Sequence, residues 1–178
     1  MDLRTAFFVL AAVVMAAPVV AQGEKSQPLA ISAGIMWPGD NALKDDIGKT
    51  WLNVNLHYTV GINYERQARA EVTLGYAQRS EGNLDGNIVP ITWDITWSKP
   101  VENRTASSYY GVGAGACWLN YDAPSGGDSD WGVAANFRVG VQWNNGVFAE
   151  ARYLWTDSIV GGIEGSGLSL TVGTRLKL

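Results

Sequence analysis

Gly167-Leu168-Ser169-Leu170-Thr171-Val172-Gly173-Thr174-Arg175-Leu176-Lys177-Leu178 decides the fold. In an extended chain Leu168, Leu170, Val172, Leu176 and Leu178 fall on one side and Ser169, Thr171, Gly173, Arg175 and Lys177 on the other; only Thr174 dilutes the apolar side. Side chains alternate across a strand, so this period of two marks a strand with one apolar face. The same division recurs upstream. Trp131, Val133, Ala135, Phe137, Val139, Val141 and Trp143 oppose Gly132, Ala134, Asn136, Arg138, Gly140 and Gln142. Val89, Ile91, Trp93, Ile95 and Trp97 oppose Pro90, Thr92, Asp94, Thr96 and Ser98, and Leu52, Val54, Leu56, Tyr58 and Val60 oppose Asn53, Asn55, His57 and Thr59.

Working outward, eight such segments are predicted: Leu29 to Trp37, Thr50 to Val60, Gln67 to Gln78, Asn87 to Lys99, Ala106 to Asn120, Trp131 to Trp143, Val147 to Thr156 and Gly167 to Leu178. Most exceed the roughly 5 to 6 residues of a globular strand and match the roughly 9 to 11 tilted residues that cross a hydrocarbon core. An even number of amphipathic strands suits a closed antiparallel barrel. Two barrels use the pattern with opposite faces: a soluble lipocalin-like barrel buries the apolar side around a ligand, and an outer-membrane barrel turns it to lipid. The polar face favours the second. Instead of a dense coat of Lys, Glu and Asp it carries Gly34, Gly75, Gly111, Gly113, Gly115, Gly140 and Gly173 beside sparse charges, as a crowded interior requires. Trp37, Tyr58, Tyr76, Trp97, Trp118, Trp131, Trp143 and Trp155 gather near the ends of the apolar face, like the aromatic girdles at membrane interfaces.

The connections strictly alternate in length. Pro38 to Lys49, Arg79 to Gly86, Tyr121 to Asp130 and Asp157 to Ser166 are longer than Gly61 to Arg66, Pro100 to Thr105 and Asn144 to Gly146. Asn145-Gly146 is a tight-hairpin signal, because a type I′ turn needs the positive φ that Asn and Gly tolerate. Short connections are expected in the periplasm and long ones outside. Within the long ones, Asn41 to Ile47 can form a helical turn, while Pro124-Ser125-Gly126-Gly127 and Gly161-Gly162 suggest mobile tips.

At the N-terminus Arg4 precedes an unbroken apolar run from Ala6 to Ala17, and Val19-Val20-Ala21 supplies small residues before a cleavage site. This reads as a secretory signal peptide over residues 1–21. A short lead-in, 22–27, and the barrel, 28–178, follow. An uncleaved anchor is the alternative, but the run is short for a spanning helix and Pro18 interrupts it.

Composition agrees with one exported domain. The 178 residues carry 17 acids against 13 bases, net −4, with 21 Gly, 8 Trp, one His and one Cys. The acidic balance lacks a basic stripe for a phosphate backbone, so no nucleic-acid partner is expected. One Cys excludes an internal disulfide, and one His with one Cys leaves no zinc cluster; no cofactor is expected.

Ile88-Val89-Pro90-Ile91-Thr92-Trp93, Phe148-Ala149-Glu150-Ala151-Arg152-Tyr153 and Leu170-Thr171-Val172-Gly173-Thr174-Arg175-Leu176 resemble small eight-stranded outer-membrane β-barrels, the group that includes the transmembrane domain of outer-membrane protein A. The resemblance covers almost all of the chain beyond residue 27. It implies an all-β, up-and-down transmembrane barrel in a bacterial outer membrane, with bilayer lipid, lipopolysaccharide and the outer-membrane assembly machinery as partners, and a monomeric state.

By this register the interior receives Arg69, Glu71, Asp94, Arg138, Glu150, Arg152, Arg175 and Lys177. An eight-stranded barrel is just wide enough for side chains to fill it, and unpaired charge there is costly. The expected arrangement is a paired plug; the alternative is a gated polar path. His57, with Asn55 and Thr59 on its face, reads as a hydrogen-bonded interior imidazole, not as the base of a lipid-modifying hydrolase. Cys117 reads as a small filler. Asn103-Arg104-Thr105 matches a glycosylation sequon but lies in a short turn and is discounted. Asp40, Asp45, Asp46, Glu81, Asp85, Asp122, Asp128, Asp130, Asp157 and Glu164 make the long connections acidic without the ordered spacing of an EF-hand, and a solvated, repulsive rim is expected. The functional expectation is a non-enzymatic structural, surface-interaction or adhesion protein; a porin-like channel and a lipid-modifying enzyme are the alternatives.

Overall fold

The computed structural model describes residues 28–82, 84–100, 105–123 and 126–176. The signal peptide, the lead-in, Lys177, and Asn103 and Arg104 of the discounted sequon lie outside the described residues. Eight long antiparallel strands form the wall: β1 (Leu29–Pro38), β2 (Trp51–Asn63), β3 (Ala68–Glu81), β4 (Leu84–Pro100), β5 (Ala106–Ala123), β6 (Gly126–Trp143), β7 (Val147–Thr156) and β10 (Gly167–Leu176). Each pairs with its sequence neighbour, and β10 returns to β1, so the sheet closes into a ring. The seam runs in register from Leu29↔Leu176 to Pro38↔Gly167. The fold is the all-β, eight-stranded up-and-down barrel that the alternation implies.

The faces fall as the period of two requires. Ile35, Leu52, Leu56, Val133, Phe137, Val139, Leu168, Leu170 and Val172 are exposed on the outside, with Tyr58, Tyr76, Trp131, Trp143 and Trp155 among them. Trp97 and Tyr110 stack on the same outer surface at 5.5 Å between ring centroids. Inside, Ser32, Asn55, His57, Glu71, Asp94, Arg138 and Thr171 are buried. Glycine is what lets such side chains fit. A Cβ at Gly113 would collide with the Asp94 carboxylate, and one at Gly86 with the Trp51 ring.

The strands are longer than their hydrophobic patterns. Arg79–Gly86 and Tyr121–Asp130, expected as loops, are largely strand: β3 and β4 pair as far as Glu81↔Leu84, and β5 and β6 as far as Ala123↔Gly126. Beyond the apolar belt the outward face of a hairpin meets water, so pairing continues without a run of outward apolar residues to reveal it, although Leu84 and Tyr121 still turn in to the lumen. At the opposite end β3 begins at Ala68 and not at Gln67, because Gln67 takes a left-handed turn conformation, φ 50°.

Two small elements close the end where the long connections lie. Helix α1 (Asn41–Asp46) is capped by Asp40, whose Oδ1 accepts the N–H groups of Ala42 at 2.7 Å and Leu43 at 3.4 Å. A hairpin of β8 (Ser158–Val160) and β9 (Ile163–Glu164) turns at Gly161 and Gly162, both with positive φ, so these glycines form a defined turn. The other Asp40 oxygen accepts the Glu164 N–H at 3.3 Å, tying the hairpin to the helix. Beneath them the lumen is apolar. Met36, Leu43, Ile47, Trp51, Ala77, Ile88, Leu119, Leu154 and Val160 form one cluster with Cys117, and Ile159 and Ile163 pack against it. Trp51 shares the parity of Asn53 and Asn55 and so points inward, and the inward fold of α1 makes that position a hydrophobic one.

Above Ala134, β6 loses its β7 partner. The N–H groups of Ser129, Trp131 and Val133, alternate residues along that edge, are taken by the carboxylates of Asp128 at 2.8 Å, Asp130 at 2.7 Å and Asp157 at 2.8 Å. Unpaired edge amides invite pairing with another chain, and charged groups on the edge oppose it. The expected rim of free acids is thus partly a set of caps. Replacing Asp128 and Asp130 together by Ala is expected to raise self-association in chemical cross-linking of the detergent-solubilised barrel while leaving the monomer's circular dichroism unchanged.

Candidate functional site: the charged lumen

Toward the end with the short turns the lumen is polar and charged. Glu71 on β3 lies at its centre, less than 1 % exposed. Its Oε2 receives Arg138 Nη2 from β6 at 2.6 Å, and its Oε1 receives Arg175 Nη2 from β10 at 2.8 Å. Arg69 Nε, on the same strand as Glu71, stands 2.9 Å from Oε1. One carboxylate therefore ties three strands, from three directions around the ring.

Arg138 is the second hub. It also donates to Thr96 Oγ1 at 2.6 Å, and its terminal nitrogens stand 3.8 Å from Asp94 and 3.6 Å from Glu150. Asp94 accepts Thr73 at 2.5 Å and Asn136 at 2.7 Å. Glu150 is held by Arg152 at 3.0 Å and by the Tyr109 hydroxyl at 3.1 Å. Seven of the eight residues predicted for the network, Arg69, Glu71, Asp94, Arg138, Glu150, Arg152 and Arg175, are thus brought together; Lys177 lies outside the described residues.

His57 sits inside this cluster with partners that sequence spacing alone did not indicate. Its Nε2 is 3.3 Å from Ser32 Oγ on β1, and its Nδ1 is 3.2 Å from Thr73 Oγ1 on β3 and 3.5 Å from Arg138 Nη1. Asn55 instead reaches Ser32 at 3.3 Å, and Thr59 reaches Glu71 at 3.4 Å. Phe148 meets the imidazole edge-on, with centroids 5.8 Å apart. Lateral partners such as Ser32 and Thr73 follow from the register Ala30↔His57↔Thr73, with Ser32 two residues beyond Ala30 on the same inward face, which only the stagger of the closed ring fixes. Tyr109 and Thr96, also absent from the sequence-derived network, could have been added from strand parity. Cys117 is fully buried, as expected of a filler, but its neighbours are the apolar cluster. Among the described residues no group of three His, Cys, Asp or Glu is arranged to hold a metal ion.

The charges pair across the ring, and the wall that carries them has a known architecture. The sequence matches no protein-family model and no curated protein. Among solved structures, the chain is similar to Neisserial surface protein A, with a TM-score of 0.63 and 12% identity over 83% of this chain and 96% of that one. It is also similar to Ail, the attachment invasion locus protein of Yersinia pestis, with a TM-score of 0.54 and 16% identity over 83% and 96% of the two chains. Its fold is that of the small eight-stranded outer-membrane β-barrels. At these identities the likeness concerns the wall, and the lumen chemistry is read from this chain's own residues.

Removing the central carboxylate leaves three guanidinium groups facing one another. Glu71→Gln is expected to destabilise the barrel by about 3 to 5 kcal/mol, the usual cost of breaking a buried pair. Urea unfolding in lipid vesicles measures it, and exposed Glu81→Gln, whose partner Arg79 lies at the surface, is expected to shift stability by less than about 1 kcal/mol.

Proposed function

We propose that the chain is an integral protein of a bacterial outer membrane, exported through a signal peptide cleaved after Ala21, with its short turns in the periplasm and its long connections outside. The observation that carries this reading is the outer belt of exposed apolar side chains, among them Leu56, Phe137, Val139, Leu170 and Val172, on a sheet that closes on itself and leaves no open edge at these residues. In lipid every backbone polar group must be satisfied within the protein, which a closed barrel achieves. Bilayer lipid and lipopolysaccharide are the surroundings such a belt fits, the outer-membrane assembly machinery is the route to it, and the barrel acts as a monomer.

Its role is structural or surface-interacting and not enzymatic. The lumen supports this twice over: the Glu71 cluster fills one half and the Trp51 cluster the other. Ser32, His57, Thr73 and Asp94 follow one another as a hydrogen-bonded chain, but each is 2 % exposed or less, so the chain serves packing and offers no surface to a substrate. What is left for contact with other molecules is the outer end: α1, the long β5–β6 hairpin and the β8–β9 hairpin. The name of one structural neighbour describes attachment and invasion by that protein, and adhesion is the role we assign to the outer end here.

Cell fractionation tests the placement: the protein is expected in the outer-membrane fraction, as a species whose gel mobility changes on boiling, and recovery as a soluble periplasmic monomer would contradict it. Leu170→Arg is expected to cost about 2 to 4 kcal/mol near the bilayer midplane, whereas Thr171→Ser is expected to be nearly silent. In planar bilayers the refolded protein is expected to show no stable openings. Openings whose ion selectivity changes in Glu150→Gln would replace the sealed lumen with a conducting one.

A further inference from the structure

Where the charged layer meets the apolar cluster there is a cavity of about 20 Å³, whose lining includes the polar Arg152, Asn53, Asn55 and Ser169 and the apolar Met36, Ile88 and Leu154. That volume holds one water molecule or one monoatomic ion. Charge distinguishes the two. Among the described residues the lumen sets four arginines, Arg69, Arg138, Arg152 and Arg175, against the three carboxylates Glu71, Asp94 and Glu150. His57 cannot correct the excess, because neither of its protonation states is negative.

The surplus falls on Arg152. Glu71 is engaged by Arg69, Arg138 and Arg175, and Asp94 by Arg138. Arg152 reaches only Glu150, at 3.0 Å, and Glu150 is shared with Arg138 at 3.6 Å and with the Tyr109 hydroxyl at 3.1 Å. Arg152 is 5 % exposed, and its buried Nε has no hydrogen-bond partner. Arg138 Nε is likewise without one, but the terminal nitrogens of Arg138 meet three carboxylates. An unsatisfied donor on a buried, under-compensated cation is costly in both respects.

We propose that this cavity binds one monoatomic anion, chloride in ordinary media, against the Arg152 guanidinium with the Asn53 amide beside it. A water molecule would satisfy the N–H and leave the surplus charge; chloride satisfies both. Asn53, Asn55 and Ser169 give the anion polar neighbours, and Met36 and Leu154 are the part of the apolar cluster that borders it.

The test follows the refolded barrel in detergent at constant ionic strength, with sodium chloride replaced stepwise by sodium gluconate, whose anion is too large for the cavity. The thermal midpoint is expected to rise with chloride and to saturate, as for a ligand bound only by the folded state. Crystals grown in bromide are expected to show anomalous density beside Arg152 Nε. Asn53→Asp places a carboxylate at the cavity and is expected to abolish the chloride dependence while raising the midpoint in gluconate. Arg152→Met removes the surplus and is expected to abolish the dependence too; if it does not fold, Asn53→Asp and the bromide crystal still decide. A midpoint indifferent to chloride, or bromide bound only at the surface with water in the cavity, would overturn the proposal.

Discussion

A strand crossing an apolar medium must find a partner for every backbone N–H and C=O it carries, and the rest of this structure depends on that constraint. It is met by the seam between β1 and β10, ten residue pairs from Leu29↔Leu176 to Pro38↔Gly167. Once the ring closes, alternate side chains are committed to opposite environments. Leucine, valine and aromatic residues face outward, and whatever occupies the intervening positions must fill a narrow tube. Where β5 and β6 run on past the ring, the constraint changes from lipid to water, and Asp128, Asp130 and Asp157 replace the missing strand at the β6 edge.

Filling the tube is a problem of volume and of charge. Glycines solve the first: Gly113 yields its space to Asp94 and Asn136, and Gly111 lies where a Cβ would stand 3.2 Å from Arg138 Nε. Long arginines then span the lumen to carboxylates on other strands. Breaking such a buried pair is costly even though the pair itself contributes little relative to an apolar filling, so the network serves mainly to lock strands β3, β6, β7 and β10 in one arrangement. The apolar cluster around Trp51 packs the other half of the lumen, held down by α1 and the Asp40 contacts to both α1 and β9.

The wall was legible in the sequence because its signal is local: Leu168 to Leu178 reveals its two faces without reference to any other strand. The identity of the lumen residues followed from the same parity. Their partners did not, since the contact of Glu71 with Arg138 and Arg175 depends on the stagger of the ring, a global quantity. The strand extensions beyond Gln78 and Asn120 were hidden because their outward face meets water and needs no apolar residues, leaving only isolated inward ones such as Leu84 and Tyr121. Trp51 was hidden for a different reason: an inward tryptophan becomes a plug only when Leu43 and Ile47, far from any strand pattern, fold down onto it. Asp40 was visible as one acid among ten, but its role as helix cap and β9 acceptor rests on the tertiary contact to Glu164.

If the barrel sits in a bilayer as proposed, its apolar face meets lipid. Spin labels placed one at a time at Leu168, Leu170, Val172, Phe137 and Val139, in vesicles and in a Cys117→Ala background, report it through collision with dissolved oxygen and with a water-soluble nickel chelate. Oxygen concentrates in lipid and the chelate is excluded from it. High oxygen and low nickel accessibility are expected at all five positions, with the contrast greatest near the middle of the belt. Nickel accessibility at these positions equal to that at the exposed Asp128 would contradict it.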